Sequence, residues 1–80
     1  MNKAMSFASA AAVIGEEEIK KIRNAFPEKM ERKDVAAFGK AVARKCIEKL
    51  KAAGKMNWEI ADTLGLSEGT VRYFLKKMAS

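Results

Sequence analysis

The 80-residue sequence predicts an all-α protein, a small helical domain of about four to five helices with a C-terminal helix-turn-helix. Three observations support this fold class. Apolar residues recur at three- and four-residue steps, and the alternation typical of strands is rare. Glycine and proline are sparse, at five and one. Apolar content of 49% with 32% charged residues is typical of globular helical proteins. A chain this short forms one domain, in which we expect residues 1–33 to be an N-terminal helical extension and residues 34–80 the helix-turn-helix core.

The first segment, from Phe7 to Phe26, has the pattern of one amphipathic helix that Gly15 could interrupt. Its second half places acidic residues first and basic residues last, in accord with the helix dipole. Pro27 should end it, because proline disfavours helical geometry at the preceding residue. The alanine-rich half allows a second helix to approach closely, so we expect it to support a homodimer. The residues of this pairing surface are Phe7, Ala8, Ala11, Ala12 and Ile14.

A long helix is predicted from Asp34, as its N-cap, to near Ala53, with Gly54 just beyond its end. Its core-facing stripe consists of Val35, Phe38, Val42, Cys46, Ile47 and Leu50. The net charge of the chain is +6, and the whole excess lies in residues 29–55, which hold nine Lys or Arg and three acidic residues. Such a segment favours attraction to phosphates, although the same charges would also suit a solvated helix with no partner.

The segment from Asn57 to Lys76 has the spacing of a helix-turn-helix. Ala61 is the small residue needed where the helices cross, and Gly65 allows the positive φ of the tight turn. Ser67 is the expected N-cap of a second helix over residues 68–79. The inward apolar positions are Ile60, Leu64, Leu66, Val71 and Phe74. Two short helices joined by glycine also occur in domains that bind no nucleic acid, but these positions rarely all match by chance, which favours a DNA-binding motif.

Residues 52–78, AAGKMNWEIADTLGLSEGTVRYFLKKM, carry a more specific pattern. They resemble the core of the LuxR-type (GerE-like) DNA-binding domain of bacterial transcription regulators, whose hallmark string is AxGKxxxEIAxxLxxSExTVxxHLxxI. The matching positions are Gly54-Lys55, Glu59-Ile60-Ala61, Leu64, Ser67-Glu68, Thr70-Val71 and Leu75. Phe74 stands where the family usually has His, and the family's LTxRE segment is not recognisable in residues 40–46. The sequence ends before the short fourth helix through which such domains commonly pair, so we expect pairing through another surface.

In a helix-turn-helix the second helix enters the major groove, so its outward residues are candidate DNA contacts. Val71, Phe74, Leu75 and Met78 form the apolar set, most of which should face inward. Arg72, Tyr73 and Lys76 remain outward, and the resemblance assigns them to the family's base-reading positions. Arginine can hold a guanine by two hydrogen bonds, and tyrosine can press on a thymine methyl or bond a phosphate. Candidate DNA-backbone contacts are Lys55, Asn57, Ser67, Gly69, Thr70 and Lys77, with Asn57 also expected to cap the first motif helix.

Composition also excludes several kinds of function. With no His and a single cysteine, a multi-residue zinc site or a His-based catalytic site cannot form. There is no glycine-rich phosphate loop and no pairing of a nucleophile with a base, so we expect no enzyme activity, no metal and no cofactor.

Cys46 should be a buried thiol. The alanine-rich segment 1–15 is too short to span a membrane, and we expect a cytoplasmic protein. Trp58 is expected to pack near the motif's rim, and Met5, Met30, Met56 and Met78 to fill gaps in the core.

Two functions stay open. The favoured one is a sequence-specific DNA-binding transcription regulator that acts on double-stranded DNA as a homodimer. The alternative is a protein-interaction module, a small modulator or antiactivator that docks on a larger LuxR-type regulator. Phe74 at the usual His position and the zero net charge of residues 56–80 keep this alternative open.

Overall fold

The computed structural model describes residues 6–79, which form five α-helices and no strand. The helices are α1 (Phe7–Ile14), α2 (Glu16–Asn24), α3 (Arg32–Ala52), α4 (Asn57–Leu64) and α5 (Glu68–Ala79). The predicted all-α fold is therefore confirmed. No helix among these residues is both long and apolar enough to cross a membrane.

The predicted N-terminal helix is two helices, because Gly15 interrupts it. Gly15 has φ +85° and ψ 155°, far from helical values, and its N–H still closes α1 by bonding the Ala11 carbonyl at 2.8 Å. Helix α2 ends at Asn24 rather than at Phe26. The N–H of Ala25 bonds the Ile22 carbonyl three residues back, a tightened last turn of the kind that commonly ends a helix.

Hydrogen bonds from α2 and a ring contact with α3 hold the connector between these two helices in place. The Arg23 guanidinium donates to the carbonyl oxygens of Pro27 and Glu28, both at 2.9 Å. The Phe26 ring meets the Phe38 ring of α3 edge to face, with 5.8 Å between their centroids. The chain therefore turns back onto α3 in a defined place.

Helix α3 starts three residues earlier than predicted, and Asp34 is not its N-cap. Glu31 precedes the helix, and the Asp34 carboxylate accepts the Glu31 N–H at 3.0 Å, which is the returning half of a capping box. The other end is as expected. Gly54 has φ +85°, its N–H bonds the Lys51 carbonyl, and the next N–H, of Lys55, bonds the Leu50 carbonyl at 3.1 Å. This is a Schellman ending, which needs a positive φ at Gly54.

The core brings side chains from all five helices together. Its buried members in the described residues are Ala10, Ile19, Val42, Ala43, Cys46, Ile47, Ile60, Ala61, Leu64 and Val71. The predicted stripe of α3 is wrong at Val35, which is 56% exposed. The reason is that residues 32–41 supply no buried side chain, so the first half of α3 lies at the edge of the core.

Cys46 is completely buried, as expected, and its Sγ lies 3.9 Å from the Ala10 carbonyl oxygen of α1. Burial raises the pKa of this thiol from 9.0 to about 11, partly offset by the nearby charge of Lys49. A thiol with so high a pKa stays protonated near neutral pH, and only the thiolate is a strong nucleophile. Cys46 is therefore a core residue rather than a reactive one.

A three-residue turn joins α4 to α5 and confirms the role predicted for Gly65. Gly65 is left-handed, with φ +71° and ψ 26°. Its N–H points to the Asp62 carbonyl at 3.4 Å, and the Leu66 N–H bonds the Ala61 carbonyl at 2.9 Å. Together these bonds make a second Schellman ending, which satisfies the last carbonyls of α4 before the chain turns.

We predict that Gly65→Ala lowers the free energy of unfolding by about 1–2 kcal/mol, because an L side chain is strained in the left-handed region. A Cβ at Gly65 would meet no atom within 4 Å, so the loss would come from backbone strain alone. The measurement is urea denaturation followed by circular dichroism.

Gly39→Ala is the matched control, since Gly39 lies inside α3 without a positive φ and its Cβ would also meet nothing within 4 Å. It should instead raise the free energy of unfolding by about 0.5–1 kcal/mol, because alanine favours the helix. Equal effects of the two substitutions would contradict the turn described here.

Candidate nucleic-acid interface

Helices α4 and α5 pack on each other and on α3, and their inward residues follow the sequence prediction closely. Ile60, Leu64 and Val71 are completely buried, and Ala61 is 6% exposed. Leu66, Phe74, Leu75 and Met78 are half-buried and pack against this cluster. Because these apolar residues hold one side of α5 to the core, the opposite side is presented to solvent.

Ser67 caps α5, as predicted. Its Oγ accepts the Thr70 N–H at 3.1 Å, and the two hydroxyls of Ser67 and Thr70 lie 2.8 Å apart. One of these hydroxyls must donate to the other, so the pair still has one O–H donor to offer outside the helix. The start of α5, and with it the rotation of every later side chain, is fixed by this cap.

The α5 ridge consists of Arg72, Tyr73 and Lys76. All three are exposed: the Arg72 side chain is 64% accessible and Tyr73 is 58% exposed. At about 100° per residue they occupy an arc of roughly 100° on the side of α5 away from buried Val71. The structure thus places them on one outward surface, while their reading of bases stays a prediction.

Neighbouring side chains steady the ridge. Arg72 donates to the Glu68 carboxylate one turn earlier, with 3.4 Å between Nη1 and Oε2. The Lys77 ammonium lies 5.7 Å from the centroid of the Tyr73 ring, a cation–π contact. Tyr73 also meets the Phe74 ring edge to face at 5.9 Å. Such exposed contacts contribute from a few tenths of a kcal/mol to about 1 kcal/mol each, enough to bias a side chain but not to lock it.

The entrance of α4 differs from the prediction. Asn57 is the first helical residue and not the cap, because Met56 precedes the helix and its N–H is satisfied by the Glu59 carboxylate at 2.9 Å. The Asn57 amide oxygen instead accepts a hydrogen bond from Lys51 of α3 at 3.1 Å. Lys55 is exposed beside them. Sequence reasoning missed Lys51, since nothing in local spacing signals a contact across the end of one helix and the start of the next.

Two large side chains near this entrance are also more exposed than predicted. Met56 does not fill a gap in the core but is 59% exposed, and Trp58 is 59% exposed rather than packed. Both lie at the start of α4, ahead of its first buried residue, Ile60. Met30 and Met78 are half-buried, and Met5 lies outside the described residues.

Gly69 and Thr70 complete the set of predicted DNA-backbone contacts. Gly69 is exposed in the first turn of α5, and a Cβ there would meet only the Ser67 Oγ, at 4.0 Å. Glycine therefore leaves the surface around the Ser67–Thr70 hydroxyl pair uncovered. No group of three or more His, Cys, Asp or Glu side chains in residues 6–79 is arranged to hold a metal ion.

The helix-turn-helix and the end of α3 are also the part of the chain that matches a known family. Residues 44–80 match the GerE family, bacterial regulatory proteins of the luxR family. This match includes residues 52–78, on which the resemblance was based, and extends it into α3. No curated protein and no solved structure matches the chain. The GerE-like segment is thus similar to a DNA-binding domain of transcription regulators, and it contains the whole α5 ridge.

We predict that Ser67→Ala lowers the free energy of unfolding by about 1 kcal/mol, because α5 loses the side chain that satisfies its Thr70 N–H. Ser67→Asp is the matched control, since aspartate caps equally well and should retain the stability. Urea denaturation of the three proteins is the measurement. A loss of stability in the aspartate variant equal to that in the alanine variant would show that capping is not what Ser67 contributes.

Proposed function

We propose that this protein is a sequence-specific DNA-binding transcription regulator that inserts α5 into the major groove of double-stranded DNA. In this proposal residues 34–80 are the DNA-binding core and residues 1–33 a helical extension. The observation that supports it best is the exposure of Arg72, Tyr73 and Lys76 on one side of a capped helix inside the GerE-like segment.

The α5 ridge has the chemistry for reading base edges. Arg72 can donate two hydrogen bonds to the O6 and N7 of one guanine, and Lys76 can reach a base acceptor or a phosphate. Tyr73 offers an aromatic face to a thymine methyl. Glu68 keeps the guanidinium extended along α5 before DNA arrives, and since their exposed ion pair is weak, it costs little to rearrange on binding.

Groups around the ridge are suited to the phosphate backbone and would position α5 without reading sequence. Lys77 lies beside Tyr73, and the Ser67–Thr70 hydroxyl pair stands at the N-terminus of α5, where the helix dipole favours an anion. Gly69 lets the backbone come close to this terminus. At the start of α4, Lys55 and Asn57 would contact a second phosphate, and the Lys51 ammonium lies 3.1 Å from the Asn57 amide oxygen.

We predict that Arg72→Lys lowers the preference for the selected site while leaving much of the affinity for random duplexes. Lysine keeps the charge but cannot form the two-pronged contact to guanine, which contributes about 1–3 kcal/mol of discrimination. Binding sites are first selected from random duplexes, and affinities for selected and random DNA are then measured by gel shift at several salt concentrations.

Lys77→Ala should weaken binding to both kinds of DNA and reduce the salt slope by about 1, because one phosphate contact is lost. Lys20→Ala, on the exposed surface of α2, is the matched control and should change neither. If the folded chain binds no duplex, or binds one with unchanged preference after Arg72→Lys, the protein-interaction alternative becomes the better account.

We further propose that the protein acts as a homodimer paired through α1. Phe7 is 62% exposed, and Ala8 and Ala12 are exposed beside it, so the helix presents an apolar surface. Helix α1 carries no charged residue at all, which makes it the place where two chains of charge +6 meet with least repulsion. The surface is narrower than the sequence predicted, because Ala11 and Ile14 pack against the chain's own core.

Phe7→Asp should convert the dimer to monomer, because pairing would bury a carboxylate in an apolar contact. Trp58→Asp is the matched control: the indole is equally exposed, but it lies on α4 and should leave the mass unchanged. Sedimentation equilibrium measures both. A substitution tests this interface better than deletion of residues 1–15, because the deletion would also remove Ala10 from the core. A monomeric wild-type chain, or a dimer that survives Phe7→Asp, would rule out this interface.

A further inference from the structure

A groove between α3 and α5 lies outside the proposed DNA surface. We propose that it is a docking site for a partner protein, and that it takes a segment with a large apolar side chain flanked by carboxylates. This α3–α5 groove has a volume of about 290 Å³ and is lined by Val35, Ala36, Gly39, Lys40, Ala43, Leu66 and Phe74. The proposal goes beyond DNA binding and does not depend on it.

The lining of the α3–α5 groove is mostly apolar, and several of its side chains are accessible to solvent. Leu66 and Phe74 form one wall and remain half-exposed, while Val35 stands on the other side with 56% of its surface open to solvent. Large apolar side chains that are exposed together, rather than singly, are typical of interaction surfaces. In residues 32–41 only Phe38 packs against the core, whereas Val35 is exposed, so packing within the described residues does not explain an apolar side chain at that position.

Gly39 keeps the floor of the groove open. It lies inside the 21-residue helix α3, where glycine weakens a helix, and it has no positive φ that would require glycine. A Cβ at this position would meet no atom within 4 Å, so no neighbouring element demands its absence either. The space above Gly39 is therefore available to a side chain from outside the chain.

The positive charge along the groove indicates which kind of partner segment it would bind. Lys40 is the charged member of the lining, and no acidic residue belongs to it. At 100° per residue, Lys33, Lys40 and Arg44 fall within one narrow sector of α3 along the border of the groove. An occupant with carboxylates around its apolar anchor would complement this row of cations. A second copy of the chain, with its net charge of +6, would not.

The position of Phe74 separates this groove from the α5 ridge. Phe74 lies about 160° around α5 from both Arg72 and Lys76. An apolar wall also offers little to a phosphate backbone, which takes hydrogen bonds and positive charge. The groove therefore stays open while the ridge lies against DNA, and one chain can hold a duplex and a protein segment together.

The test is selection from a phage-displayed library of random 12-residue peptides on the immobilised full chain, followed by NMR titration of the enriched peptides into ¹⁵N-labelled protein. We expect enrichment of peptides with an aromatic or large aliphatic residue flanked by Asp or Glu. The amides that shift should be those of residues 35–43, Leu66 and Phe74. Gly39→Leu, which fills the groove, should weaken binding at least tenfold, whereas Gly39→Ala should change it less than twofold.

Lys40→Glu provides a second variant, on the rim of the groove, where the fold does not depend on the side chain. It should weaken the binding of the acidic peptides at least fivefold. Circular dichroism checks that each variant folds, and gel shift checks that Gly39→Leu retains any DNA binding of the wild type, which keeps this test separate from that of the α5 ridge.

No enrichment, enrichment without acidic residues, or unchanged binding to Gly39→Leu would overturn the proposal. So would shifts of the same amides on adding duplex DNA, or on concentrating the chain without peptide, which would indicate nucleic acid or a second copy as the occupant.

Discussion

The left-handed turn at Gly65 determines how the rest of the C-terminal half is arranged. It ends α4 by satisfying the Ala61 and Asp62 carbonyls, and it brings Ser67 to the point where α5 must begin. Once the cap has fixed that starting residue, the helical repeat alone decides that Val71 faces the core and Arg72 faces solvent. A shift of one residue in the turn would rotate α5 by about 100° and bury a different set of side chains.

The N-terminal helices have a different role, which is to cover the other side of α3. Ala10 of α1 and Ile19 of α2 reach the same buried cluster as the helix-turn-helix, so a motif of some twenty residues gains enough apolar contact to fold. The break at Gly15 makes this possible, because a continuous helix could not direct both residues inward. The cover is incomplete over the first half of α3, where Val35 remains exposed.

The C-terminal half was predictable from the sequence to nearly the residue, and the reason is local chemistry. Gly54, Gly65 and Ser67 each perform a task that few residue types can perform, so their positions fix helix ends without knowledge of the tertiary fold. Asp34 shows the limit of this reasoning: an acidic residue suits both the cap and the third helical position, and only the hydrogen bond to Glu31 distinguishes them.

Periodicity was less reliable, because it indicates a helical face but not whether another element covers that face. Val35 continues the stripe of Val42 and Cys46 perfectly and is nevertheless exposed. For the same reason Trp58 and Met56 could not be placed from sequence. The outward orientation of the α5 ridge followed from the inward set, whereas the Lys51–Asn57 contact depends on how the end of α3 meets the start of α4, which spacing does not determine.

The burial of Cys46 has a practical consequence for anyone who studies this molecule. It is the only sulfhydryl in the sequence, and it is completely buried, with its Sγ 3.9 Å from the Ala10 carbonyl oxygen of α1. A cysteine introduced on the surface would therefore be the sole thiol open to maleimide dyes or spin labels in the native state, with no need to remove the natural one. Distances between α1, α3 and α5 could then be followed by fluorescence or electron spin resonance in an otherwise unaltered chain.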